Sequence, residues 1–427
     1  MESLSTPPKE HNIQYKPSVL LVATFPPPVH GSSMVSMQIK ESGIINEAFE
    51  VDYVNLGTSR TMAEIGRHSY VLYARKTLRF LCSYFKMLWK LLSHRYDLTY
   101  LAITCHDVGF LKDSPFVITA RLLSKKYVIH QHNRGMAPYV HRAPYKWLLP
   151  MAYNKAKVIL LSWKLYEDIS AVVKKEQVLI CSNGLPMPEY LLKNKDAGIN
   201  LKEKESVPEI LFLSNLVESK GVWPLLDAYK ILKDKGVRFH SSFVGGTSRF
   251  ISADKFAAEV KVRGLEGMVE YLGPQYGDDK WRAYQRADIF VLPSMDDCLP
   301  LTVIEAMMTK TAVVGSDIGA IPDLVEDGVT GYIISSEDLI VETGGKFLDW
   351  EPNAEMAQKI AESKKLKANG NAYGESTKSL ANALEKLLLN PDLCRKMGEA
   401  GYEKYQREFT LEAFEKNMLE CLKKSLN

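Results

Sequence analysis

The chain has 427 residues, more than a single hydrophobic core usually holds, so two domains are expected. Hydrophobic content of 46% and charged content of 25% are those of a globular protein, and no apolar run approaches the roughly 20 residues that span a bilayer. The net charge of +3 conceals an asymmetry: 23 Lys/Arg face 14 Asp/Glu through Tyr190, and 31 face 37 beyond it, which points to an anionic partner for the first half. Six scattered cysteines (82, 105, 181, 298, 394 and 421) show no CxxC and no short disulfide spacing, the pattern of reduced cytosolic thiols.

Residues 1–17 are polar and Pro-marked and read as a flexible tail, not a signal peptide or an anchor. Apolar strands then alternate with helix-length segments. In the first half the strands are Ser18–Thr24, Val51–Leu56, Leu98–Ile103, Tyr127–Gln131, Val158–Ser162 and Val178–Ser182. In the second half they are Ile210–Ser214, Phe239–Gly245, Val269–Leu272, Ile289–Pro293, Ala312–Gly315 and Gly331–Ile334. This alternation predicts an α/β chain with two doubly wound parallel sheets, at 18–190 and 208–405, joined by a charged linker at 191–207. A last helix, 406–427, is expected to cross back to the first domain.

Three first-half features stand out. The loop TFPPPVHGSS is stiffened by prolines, and Gly31 lets its backbone approach a ligand; a plain strand-to-helix turn is the alternative. Residues 74–95 place Leu78, Leu81, Phe85, Leu88 and Leu92 on one helical face and Arg75, Arg79, Lys86 and Lys90 on another, with no acid between them. Such a helix either lies on an anionic membrane surface or packs normally with a solvated cationic side. The fourth strand ends in HQHNRG, where His132 is suited to a hydroxyl, Arg134 to a phosphate, and His130 shares the face of His132.

The most informative stretch is ADIFVLPSMDDCLPLTVIEAMMTKTAVVGSDIGAIPDLVEDGVTGYII, Ala287–Ile334. It reads as strand, polar loop, helix opened by Pro300, second strand and Gly/Pro turn. Ligands of open α/β sheets sit beyond the carboxyl ends of the strands, where helix N-termini offer N–H groups to anions. Asp297 in the loop and Glu305 in the helix could therefore hold polyol groups on either side of a diphosphate, as in a nucleotide sugar. A lone acid pair at this spacing is weak; the surrounding frame makes it specific.

That frame, PS-x-x-(D/E)-x-x-P-L-x-x-x-EAM with Asp297-x7-Glu305, closely resembles the Glu-x7-Glu region of the family 4 retaining glycosyltransferases. The resemblance implies the GT-B architecture, two Rossmann-like domains facing across a cleft, and a nucleotide-sugar donor, a UDP- or GDP-sugar, in place of any cofactor. It assigns His132 to the donor sugar and Lys220 of SNLVESKG to the diphosphate, Asp297 to the transferred sugar and Glu305 to the ribose. Gly31, Arg134, Gly245, Gly246, Leu299, Pro300 and Leu301 join the donor site. Asn215 stands where the family has Arg, and an amide lacks the paired donors of a guanidinium. Lys310 and Ala312 replace the family's Gly and Pro, and 337–375 has no pattern that maps onto it.

No DxD or zinc spacing, P-loop or GxSxG occurs, so no metal is expected and the leaving diphosphate falls to Lys220 and helix amides. The resulting expectation is a retaining, metal-independent hexosyltransferase. It would act on a lipid-linked or saccharide acceptor in O-antigen, capsule or exopolysaccharide synthesis, in the cytoplasm and peripherally on the inner face of the cell membrane, without nucleic acid. Another GT-B enzyme such as an epimerase, and a non-catalytic GT-B binding subunit, are the alternatives.

Overall fold

The computed structural model describes residues 15–27, 31–60, 64, 69–193, 207–344, 357–362 and 373–427. The tail 1–14, His30 of the first loop, 194–206 of the linker and much of 337–375 lie outside them. Two six-stranded parallel sheets form the frame. The first, in order β2-β1-β3-β4-β5-β6, contains β1 (Ser18–Ala23), β2 (Glu50–Asn55), β3 (Leu98–Ile103), β4 (Tyr127–Gln131), β5 (Lys157–Leu160) and β6 (Val178–Ile180). The second, β12-β11-β10-β7-β8-β9, contains β7 (Glu209–Leu213), β8 (His240–Val244), β9 (Val269–Gly273), β10 (Ile289–Leu292), β11 (Ala312–Ser316) and β12 (Gly331–Ile334). All twelve expected strands are present, shifted at most by a residue or two.

Their central strands read as continuous apolar runs because helices cover both faces. In β1 and β10 every residue is buried. Around the first sheet run α1 (Gly31–Glu41), α2 (Gly43–Ala48), α3 (Tyr70–Ser93), α4 (Asp107–Leu123), α5 (Tyr145–Tyr153), α6 (Tyr166–Ile169) and α7 (Glu189–Lys193). Around the second run α8 (Val222–Asp234), α9 (Ala253–Val262), α10 (Gly277–Arg286), α11 (Leu301–Met308), α12 (Ile321–Leu324), α13 (Ser336–Thr343), α14 (357–362), α15 (Glu375–Leu388) and α16 (Pro391–Glu408). Two Rossmann-like α/β domains result, as the sequence led one to expect.

The final helix, α17 (Leu411–Leu426), packs on the first sheet: Phe414, Met418, Cys421 and Leu422 share a buried cluster with Val19, Leu98, Tyr100 and Val128. The chain returns through a tight crossing at Gly184. A Cβ there would stand 2.2 Å from the Thr410 carbonyl oxygen, so the Asn-Gly turn needs glycine for close approach. Leu185 N–H donates to Phe409 O (2.9 Å) and Tyr405 Oη to Leu185 O (3.0 Å), which completes the seam.

Strand order reverses around β7 and β10 in the second sheet, the kind of crevice in which α/β proteins bind ligands. Among the described residues no helix is long and apolar enough to cross a membrane.

Candidate active site

The loops after β7 and β10 meet at that switch point. Gly221 has φ +78°, and a Cβ there would lie 2.1 Å from Pro293 O, so only glycine lets the first loop lean on the second. Met295 N–H donates to Ser219 O (2.7 Å), fixing the contact. Lys220 is thereby aimed at the second loop: its Nζ donates to Asp297 Oδ2 (2.8 Å) and to Asp296 O (2.7 Å). An ammonium has three N–H groups, so one remains for an incoming anion. From the far side Gly319 (φ +57°) presses on Asp297 and Cys298, and Ala320 N–H donates to Cys298 O (2.7 Å). The SDIGA turn thus shapes the acidic loop.

Pro300 precedes α11, and Glu305 faces inward from that helix's second turn. Glu305 is nearly buried, with Oε1 accepting from Lys280 Nζ (2.7 Å) and Oε2 within 3.0 Å of Tyr284 Oη. Burial, then the charge of Glu305, pushes the Tyr284 phenol well above its ordinary range, so it stays protonated as a donor. Lys280 and Tyr284 were not singled out from the sequence. Their signal is the i,i+4 spacing that puts both on one face of α10.

Asn215, where the resembled family has Arg, is exposed just past the end of β7 and turns its amide oxygen to a neighbouring loop. Its Oδ1 accepts the Gly246 N–H (2.9 Å), while Leu216 N–H donates to Gly246 O (2.8 Å). Gly245 (φ +150°) lies against Ser214, where a Cβ would meet a carbonyl oxygen at 2.0 Å. Asn215, Gly245 and Gly246 therefore form one unit that ties the β7 and β8 loops together. Leu299 is in the core, and Leu301 is half-buried at the start of α11.

On the first domain His132 follows β4, half-buried, with its ring centroid 3.9 Å from that of His130. His130 is fully buried. Burial first, and the neighbouring His132 second, push its imidazole well below the usual range, so it is neutral. The Tyr100 phenol, itself raised by burial, shares a hydrogen bond with His130 Nδ1 at 2.6 Å. His130 is thus a buried support beneath His132.

Arg134 belongs to a turn organised by Asp168, a second residue that the sequence did not reveal. The backbone N–H groups of Gly135, Met136 and Ala137 donate to its carboxylate at 2.9, 3.0 and 3.1 Å. This turn faces the acidic loop of the second domain. Burial, and after it Asp297, raise the Cys298 thiol, with Asp168 and Asp296 adding and Arg134 opposing. Gly31 completes the junction, since a Cβ there would touch Leu301 Cδ1 at 3.7 Å. A cavity of about 580 Å³ opens between the domains, with Gly31, Met34 and Gln38 on one wall and Lys280, Trp281 and Glu305 on the other. That volume suits a small-molecule ligand. It borders Glu305 and stops short of Lys220 and Asp297.

Residues 193–367 match the model of the family described as "Glycosyl transferases group 1". The match runs into 337–367, which sequence reading alone left unmapped. The lipopolysaccharide core biosynthesis mannosyltransferase LpcC of Rhizobium leguminosarum bv. viciae is 38% identical over 86 residues, which cover 20% of this chain and 24% of that protein. The amylovoran biosynthesis glycosyltransferase AmsK of Erwinia amylovora is 23% identical over 224 residues, covering 51% of this chain and 50% of that one. The chain thus spans half or less of these relatives. Among solved structures, Anabaena HepE in complex with UDP superposes with a TM-score of 0.65 at 15% identity, covering 96% of this chain and 100% of that chain. That likeness is one of fold, the GT-B fold.

Proposed function

We propose that this protein is a glycosyltransferase that moves a hexosyl group from a nucleotide-diphosphate sugar to a lipid-linked or saccharide acceptor during surface polysaccharide synthesis. The observation that carries this reading is the meeting of Lys220, Asp297 and the start of α11 at the switch point of the second sheet, opposite the Arg134 turn. The family match over the second domain supports it, and the relatives' lipopolysaccharide and amylovoran roles support the pathway class. The UDP held by the Anabaena structure favours a UDP-sugar over a GDP-sugar.

In this reading the diphosphate lies over the N-terminus of α11 and takes the third N–H of Lys220. The ammonium and the helix amides meet the negative charge that develops on the leaving group, so no metal is needed. Glu305, held by Lys280 and Tyr284, accepts from the ribose hydroxyls, and Asp297 and His132 orient the transferred sugar. Leu299 and Pro300 set where α11 begins. Asn215, Gly245 and Gly246 shape the nucleotide-binding wall, Arg134 supplies the second cation, and Gly31 lets the domains close. Transfer proceeds with retention, by front-face displacement within an ion pair. The protein acts in the cytoplasm, peripherally on the inner face of the membrane. Asn215 in place of Arg is the feature that favours a binding subunit; in the transfer reading its bond to Gly246 positions the nucleotide-side loop.

Calorimetric titration with UDP-, GDP- and ADP-sugars, with and without a chelator, tests the reading. Selective binding of one donor, unaffected by the chelator, is expected. Silence across the panel overturns it.

A further inference from the structure

Helix α3 is apolar on two faces, and the first domain uses one of them. Met87 and Leu91 are buried, with Phe80 and Tyr84 partly buried against the same core. The opposite stripe, Val71, Leu78, Leu81, Phe85, Trp89 and Leu92, lies in solvent: Leu78 is 63%, Phe85 60%, Trp89 73% and Leu92 65% exposed. At 1.5 Å per residue this stripe runs about 32 Å along the surface. An exposed apolar row of this length marks an interaction surface.

The charges around it select the partner. The 24-residue helix contains no acid. Arg79 is paired with Glu64 and Lys90 with Asp52, so two of the four cations expected to line the polar side are neutralised locally. Arg75 and Lys86 are exposed on the flank of the apolar stripe, and Arg95 is exposed just past the helix end. A second copy packed antiparallel on this stripe would set its cationic flank against itself. A bilayer with anionic headgroups answers both features, since it takes the apolar row and attracts the cations beside it.

We infer that α3 is a membrane-docking helix that lies in the plane of an anionic lipid surface. Leu78, Phe85, Trp89 and Leu92 enter the headgroup boundary, and Arg75, Lys86 and Arg95 engage the headgroups. This gives a surface to the peripheral placement proposed above but does not depend on the transfer reaction.

Flotation of the full chain, without donor, on phosphatidylcholine/phosphatidylglycerol vesicles and on phosphatidylcholine alone tests it. Binding to the anionic vesicles is expected, with little to the neutral ones. Phe85→Ser with Trp89→Ser should weaken it by about tenfold or more, and Arg75→Gln with Lys86→Gln by about fivefold per charge. Donor titration and circular dichroism on the same variants should match wild type, so failure of the docking and failure of the transfer reading are separable. No binding to anionic vesicles, equal binding by the Phe85/Trp89 variant, or equal binding to neutral vesicles overturns the inference. So does a wild-type dimer that this variant dissociates, which would make the stripe a self-interface.

Discussion

Lys220 and Asp297 are bonded to each other, and this couples donor binding to the acid in a measurable way. Removal of Lys220 deletes one charge-assisted hydrogen bond to the diphosphate, worth about 1.5–3 kcal/mol. It also leaves Asp297, whose side chain is 16% exposed, as an unneutralised carboxylate beside the diphosphate. Two like charges about 5 Å apart at an effective dielectric of about 20 repel by about 3 kcal/mol, reduced to about 1 by solvent and salt. Lys220→Ala should therefore weaken nucleotide-diphosphate binding by roughly 3 kcal/mol, about a hundredfold, and nearly abolish transfer. Asp297→Asn should act in the opposite sense on binding: it releases Lys220, so free UDP binds as well as or up to about fivefold better than in wild type, while kcat collapses. The double variant should recover about fivefold of the affinity lost in Lys220→Ala, the worth of the removed repulsion. Calorimetric titration with UDP and with the UDP-sugar reads all three. Lys220→Ala within about threefold of wild type, or Asp297→Asn weakening UDP as much as Lys220→Ala, would refute the assignment of the pair.

Glu305→Ala should mainly weaken nucleotide binding; an unchanged donor Kd removes its ribose role. Tyr284→Phe should weaken the same Kd by about fivefold, the worth of one hydrogen bond, with kcat unchanged, as measured by titration and initial rates. Gly221→Ala, forced into left-handed backbone against Pro293 O, should cost at least about 2 kcal/mol in chemical denaturation; wild-type stability would show that the two loops are not packed as described. Burial alone would raise Asp97, but Lys125, Tyr15 and the Ser18 N–H outweigh it and hold its carboxyl well below the usual range. A depressed folded pKa gives stability above the unfolded value of about 3.9 that is lost as pH falls through the folded one. Asp97→Asn should accordingly lower Tm at pH 7, and the gap to wild type should close on acidification below about pH 4; a gap independent of pH would contradict it.

Strands such as β1 and β10 were legible because both faces are buried and, Ser18 aside, every residue is apolar. The Ala287–Ile334 loop was legible because each punctuation residue has a steric duty, as Gly319 shows against Asp297. Periodicity could not choose between the two faces of α3. It marked the row of Leu78, Phe85 and Leu92, and the domain core took the row of Phe80, Tyr84, Met87 and Leu91. Nor could spacing pair Asn215 with Gly246, or Lys280 and Tyr284 with Glu305, because these contacts join residues 21–31 positions apart. Asp168 was invisible for a like reason, since its partners are backbone N–H groups that any sequence carries.

The seat of α17 on the first sheet has a consequence for biosynthesis. A ribosome releases the six strands of that sheet long before the helix that covers Val19, Leu98, Tyr100 and Val128. Until the whole second domain has emerged, this apolar strip has only the partial cover of Val35, Ile39 and Ile45 from α1 and α2. Sequence order thus makes the two domains mature together, because the first is sealed only by residues translated after the second.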